Sequence, residues 1–211
     1  MGLFDFFKKK DSGNERVDVE KYDSTPDEPR PIGYKASWLA IKNVTPEQVI
    51  AQLGVKNAQT ANWESGMKAA DNDKLFITPV MDGYVIIAGV DYLTEKQEKV
   101  TELAKGFEEV LFFGTHRVVE LNVWAKYVKG EMLRWYYFLG ESGEVISEGE
   151  LTPEELKLGF DSLISSEEDD WETVDFPDEE SVMAISKAWG VDPWFEGHQG
   201  EVSTGYVALP V

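Results

Sequence analysis

Cysteine is absent from all 211 residues of the chain. That absence excludes a disulfide framework, a thiolate zinc site and a cysteine nucleophile, and it suits a reducing compartment such as the cytoplasm. Histidine is nearly as scarce, with His116 and His198 the two in the chain. A multi-histidine zinc site is not expected, and any metal would have to rest on carboxylates. Apolar runs are short. None approaches the roughly 18–20 residues of a membrane-spanning helix, and the N-terminal patch lacks the basic-then-apolar order of a secretory signal. Neither phosphate-cradling glycine pattern, G-x-x-x-x-G-K-[ST] or G-x-G-x-x-G after a strand, occurs, and no G-x-S-x-G elbow does.

Basic residues are the remaining shortage. Lys and Arg number 20 against 40 Asp and Glu, for a net charge of −20. Such a surface repels a phosphate backbone, so nucleic acid is not an expected partner. The imbalance is concentrated: from Leu139 to Glu201 there are nineteen acids, with Lys157 and Lys187 the only Lys/Arg. A negative face of this kind steers a basic partner toward it.

What the chain does contain is apolar mass. Hydrophobic residues make up 42%, with seven Trp, eight Tyr and eleven Phe, enough for one core without a covalent staple. The expected organisation is a flexible N-terminal segment and linker, residues 1–31, followed by one domain, residues 32–211. In Met1–Lys10 (MGLFDFFKKK) a helix would put Leu3, Phe6 and Phe7 on one face ahead of three lysines, a weak membrane-contact pattern. Asp11–Pro31 is polar and closed by Pro26, Pro29 and Pro31, which reads as linker.

Phe107–Glu148 carries the densest aromatic and β-branched content. It reads as four consecutive strands, an antiparallel meander, and is the expected centre of the sheet. Within it, Arg117–Val128 is read as one alternating strand. Tyr34–Asn43, Val55–Trp63, Lys74–Val80, Tyr84–Val90 and Gly200–Leu209 are further strand candidates, the third and fourth joined at Asp82-Gly83, a favoured tight-turn dipeptide. YVIIAGV is apolar on both alternating sets, the pattern of a strand covered on both faces. Helices are expected to open at Thr45, Thr94, Thr152 (running to about Leu163) and Asp178, each a side-chain cap for exposed N–H groups. The fold class is α+β: a predominantly antiparallel sheet of about six to eight strands with helices packed on one side.

Three groups of residues could carry function. His116, Arg117 and Glu120 form the most chemical-looking cluster, with His116 as a base oriented by a carboxylate. The acidic stretch holding Glu167, Glu168, Asp169, Asp170, Trp171, Glu172 and Phe176 sets aromatic anchors inside a negative rim, a partner-binding arrangement. It lacks the glycine and spacing of an EF-hand loop, so no metal is assigned to it. Glu64 and Asp82 beside Trp63 could border a cleft as an acid pair. The run Trp124, Trp135, Tyr136, Tyr137 and Phe138 has strand spacing and reads as core. No cofactor is expected.

The segments FITPVMDGYVIIAG, FGTHRVVELNVWAKYVKGEMLRWYYFLGESGEV and the helix ending AWGVDP resemble parts of bacterial proteins of similar size, over about Trp38 to Pro193. That group has no established activity, so the resemblance implies no catalytic residues. In its acidic α+β character the chain is also similar to immunity proteins that neutralise bacterial toxins. The functional expectation is a non-enzymatic, cytoplasmic, acidic binding protein, an immunity or inhibitor protein for a basic protein partner. The alternatives are an enzyme with a carboxylate and His116 site, and a peripheral membrane adaptor acting through residues 1–10.

Overall fold

The computed structural model describes residues 21–55, 57–93, 96–161 and 176–210. Met1–Lys10 and Glu167–Glu172 lie outside the described residues. In chain order the elements are β1 (Lys35–Lys42), α1 (Pro46–Leu53), β2 (Gln59–Asn62), α2 (Trp63–Ala70), β3 (Leu75–Met81), β4 (Tyr84–Ala88), α3 (Gln97–Ala104), β5 (Glu109–His116), β6 (Leu121–Val128), β7 (Glu131–Leu139), β8 (Glu144–Glu148), α4 (Pro153–Lys157), α5 (Glu179–Ala188) and β9 (Thr204–Ala208). The strands make one nine-stranded antiparallel sheet in the order β2-β9-β3-β4-β1-β5-β6-β7-β8. No helix among the described residues is long and apolar enough to cross a membrane.

The local signals account for most of the elements. Thr45 and Gln48 cap α1 reciprocally, at 2.8 and 3.3 Å, with Pro46 in the first turn and Gly54 left-handed at the exit. Asp82 and Gly83 both take positive φ, as a two-residue hairpin turn requires. The helix expected from Thr94 begins at Gln97, and Thr94 lies outside the described residues. The helix from Thr152 ends at Lys157, where Gly159 at φ +80° turns the chain. The strand expected over Val55–Trp63 shrinks to Gln59–Asn62, because Asn62 turns from strand to cap and accepts from Ser65 N at 2.9 Å.

Two expectations about the sheet need correction. The meander β5-β6-β7-β8 forms in the order read, but it is one half of the sheet, and β1 is the middle strand. The helices also cover both faces. One core cluster joins Trp38, Ile86, Phe113 and Trp124 to α2 and α5, through Ala69, Val182 and Ile185. The other joins Leu39, Ile87, Phe112 and Val123 to α1 and α3, through Val49, Val100 and Ala104. The reason is visible in the strands: β1, β4 and β5 are apolar on both alternating sets and are buried along nearly their whole length. Neither face can be left to water.

The far half closes with β9, which enters between β2 and β3. Gly66 of α2 and Gly205 of β9 both lie against Phe76. A Cβ at either would fall inside that ring's space, and at Gly205 also on the Ile77 carbonyl. The polar stretch before Ile32 is tied to this region. Asp27 exchanges backbone hydrogen bonds with Ser203, at 3.3 and 3.0 Å, while its carboxylate accepts from Trp63 N and Glu64 N at 2.6 and 3.0 Å. Two otherwise orphaned donors of α2 are thereby satisfied.

The near half carries a buried ion pair. Arg134 and Glu155 are both fully buried, with Nε donating to Oε1 at 2.8 Å. The same oxygen accepts from Trp124 Nε1 at 2.8 Å, and Oε2 accepts from Thr152 N at 2.8 Å as part of the α4 capping box. Arg134 Nη1 donates to Ser147 Oγ and the Glu148 carbonyl, at 2.9 and 3.0 Å. One carboxylate therefore caps α4 and locks it onto β6 and β7.

Candidate functional site

His116 is the last residue of β5, paired with Lys35 of β1 and Leu121 of β6. That register hands Arg117, Val118, Val119 and Glu120 to the turn, with Glu120 at φ +52°. The strand expected to start at Arg117 therefore starts at Leu121, and the three candidate residues separate. Arg117 reaches α5, its Nη2 3.0 Å from Glu179 Oε1 and its guanidinium 5.4 Å over the Tyr34 ring. Glu120 lies against Gly140 at the β7–β8 turn, and its carbonyl accepts from Gly140 N at 3.2 Å. The turn, by rotating each side chain away from the next, disperses what a base–carboxylate pair would need together.

His116 instead borders a cavity of about 520 Å³ with Lys35, Asp71, Asp73 and Asp91. Asp91 opens a 3-10 turn, Asp91–Leu93. It keeps an exposed flank, yet burial of its carboxyl pushes it above the ordinary range, more than the Ser37 hydrogen bond and His116 pull it down. The neighbouring Asp73 adds to the rise. The Nδ1 of His116 is buried without a hydrogen-bond partner. Among the described residues, no group of three or more His, Cys, Asp or Glu side chains is placed to hold a metal ion.

The remaining sequence candidates fall elsewhere. Trp63 is buried between Phe76 and Phe195, ring centroids 5.4 and 5.0 Å away. Glu64 faces Arg30 at 3.2 Å, and Asp82 takes His198 at 3.1 Å, so these acids share no cleft. Phe176 stacks on Phe138 at 4.4 Å and packs on the core, so its ring is engaged within the fold. Glu167, Glu168, Asp169, Asp170, Trp171 and Glu172 lie outside the described residues. Trp124, Trp135, Tyr136, Tyr137 and Phe138 are buried, as their strand spacing indicates.

A second concavity runs along the β8 edge, a groove of about 360 Å³ between β8 and α3. Glu144, Ile146 and Glu148 stand opposite Leu139, Tyr137 and Trp135 on the same face of the sheet. Trp135 and Tyr137 form the floor, with Phe112 stacked against Trp135 at 6.0 Å. Glu98 and Glu144 supply carboxylates at its walls. Gln97 reaches across to Glu148, with Nε2 donating at 2.8 Å. Sequence reading misses both concavities. The available signals were Asp-Asn-Asp at the α2–β3 junction and the acids Glu144 and Glu148 at the two ends of β8.

Comparison with protein-family models, with curated proteins and with solved structures finds no match to this chain.

Proposed function

We propose that the protein is a non-enzymatic binding protein, acting in the cytoplasm as an inhibitor of a basic protein partner. The observation that carries this reading is the β8 groove, with its aromatic floor between carboxylate walls. A lysine or arginine side chain laid in the groove gains from the carboxylates of Glu98 and Glu144, above the almost wholly buried Trp135 and Tyr137. Among the described residues β8 pairs only with β7, so its outer edge has backbone groups to offer an added strand. Glu141, Glu144, Glu148 and Glu150 stand along this edge with no Lys or Arg between Leu139 and Glu150. That charge repels a second copy while it attracts a basic strand.

The test is affinity capture from native cytoplasm over a salt series, with wild type beside a Glu98→Lys/Glu144→Lys variant. The expected result is a basic protein whose retention falls as salt rises and drops at least tenfold in the variant. Capture that ignores both salt and charge reversal overturns the proposal. The enzyme alternative has one supporting observation, the shared cavity of His116 and the raised carboxyl of Asp91. Any turnover that survives His116→Ala unchanged removes it.

A further inference from the structure

α1 and α3 lie on the same face of the sheet but do not sit over the same strands. α1 packs over β3, and α3 over β5, β6 and β7. In the sheet order β3-β4-β1-β5-β6, β3 and β6 are four strand spacings apart, roughly 19 Å at about 4.8 Å each. Two helices in contact stand only about 8–10 Å apart. The difference leaves β4 and β1 between the two helices rather than beneath either.

The strip so left is apolar. Leu39 of β1 and Ile87 of β4 are register partners and form its floor. The 3-10 turn Asp91–Leu93 covers part of it through Leu93. Leu53 of α1 and Leu103 of α3 line it from the two sides, and both remain half-buried although they pack against the core. Between them is a cavity of about 170 Å³, aliphatic in its lining apart from Lys99 of α3. Packed cores hold few voids larger than a water molecule, and an aliphatic cavity of about 150 Å³ takes a benzene-sized guest rather than water. Lys99 is exposed, so its ammonium stands where the cavity meets solvent.

We propose that this cavity binds the alkyl chain of a carboxylic acid about six to eight carbons long, with the carboxylate at Lys99. Burial of the chain supplies the affinity, about fourfold for each methylene taken from water. The ammonium offers donors and no acceptor, so it favours an acid and repels an amine. An exposed ion pair adds only about two- to fivefold, so the head sets selectivity and the chain sets strength. The cavity shares no lining residue with the β8 groove and does not rest on the basic-partner reading.

The experiment titrates the full chain calorimetrically with the straight-chain acids from butanoate to decanoate. The expected Kd falls about fourfold per added carbon, drops below about 1 mM by octanoate, and levels off once the cavity is full. The alcohol of the best chain length binds about two- to fivefold more weakly, and Lys99→Met removes that difference. Leu103→Trp fills the cavity from α3 and loses about tenfold or more in affinity, while its thermal midpoint holds or rises because a void is filled. Should that variant unfold early, Leu53→Trp fills the same space from α1 and is read in the same way. Absence of saturable binding by every acid in the series overturns the proposal. So does a Kd indifferent to chain length, an alcohol that binds as tightly as its acid, or binding that survives a folded filling variant.

Discussion

The two halves of the sheet are built on opposite plans. From β5 to β8 the strands pair in the order they occur in the chain, and each turn is short. From β2 to β4 the order is interrupted, because β9 from the other end of the chain lies between β2 and β3. The near half is nevertheless not self-sufficient. Its central cation, Arg134, is neutralised by Glu155, which sits beyond the last meander strand on α4. Among the described residues the far half places no ion pair of comparable burial at its seam, and Phe76 fills the space left by Gly66 and Gly205. Pairing order alone therefore does not tell which half is held locally.

The comparison breaks most sharply at Glu155. Glu155→Leu should cost about 3–5 kcal/mol, because Arg134 is left as a buried charge without its counter-ion. Adding Arg134→Leu should return part of that loss, read from the urea midpoints of the single and double variants. If the single variant costs less than about 1 kcal/mol, the meander holds itself without α4.

A smaller effect is expected at the other seam. Gly205→Ala should destabilise by about 1–3 kcal/mol through overpacking against Phe76 and the Ile77 carbonyl. Amide exchange should rise first in β2, β9 and β3 while β5–β7 stay protected. A uniform rise over all nine strands would show that the halves open as one unit.

The smallest effect is a pH dependence at the hairpin that borders the far half. His198 Nδ1 lies 2.8 Å from Glu201 and Nε2 lies 3.1 Å from Asp82. Those hydrogen bonds, to Glu201 first and then Asp82, hold the imidazolium above its ordinary range. A folded value above the unfolded one means the contribution is complete below about pH 6.5 and lost as pH rises through the folded value. Both acids are largely exposed, so the loss should stay under about 1 kcal/mol. Comparing unfolding of wild type and His198→Gln at pH 5.5 and 8.5 checks the sign: the difference between the two proteins should shrink at the higher pH.

How much of this was legible follows from the same contrast. Alternation and turn dipeptides suffice for the meander, since each strand pairs with the next. The same local marks identify β9 as a strand but say nothing of its neighbours, because those neighbours were written far upstream. The apolar double face of YVIIAGV already implied two covered faces and contradicts a one-sided helix layer. At the site, His116 is legible as the end of a strand. Arg117–Glu120 is not legible as a turn, because Val118 and Val119 continue the alternation that the register then abandons. Asp91 looks like an ordinary residue after a strand, and its neighbours Asp71 and Asp73 arrive by way of another element. Glu155 is readable as a cap from Thr152-Pro153. Its second role was marked by Arg134 alone, a single cation entering the run WYYF, which calls for a buried anion somewhere in the chain.

The position of β9 also sets a schedule. A ribosome delivers the chain from its N-terminus at roughly 5–20 residues per second, so β2 and β3 wait on the order of ten seconds for the strand they share. During that interval each shows an unpaired edge to a crowded solution, while the meander strands find their partners within moments of emerging. Among the described residues β9 is thus the last strand made and the one that joins β2 to β3, and nascent chains stalled before Thr204 should be the species that chaperones hold.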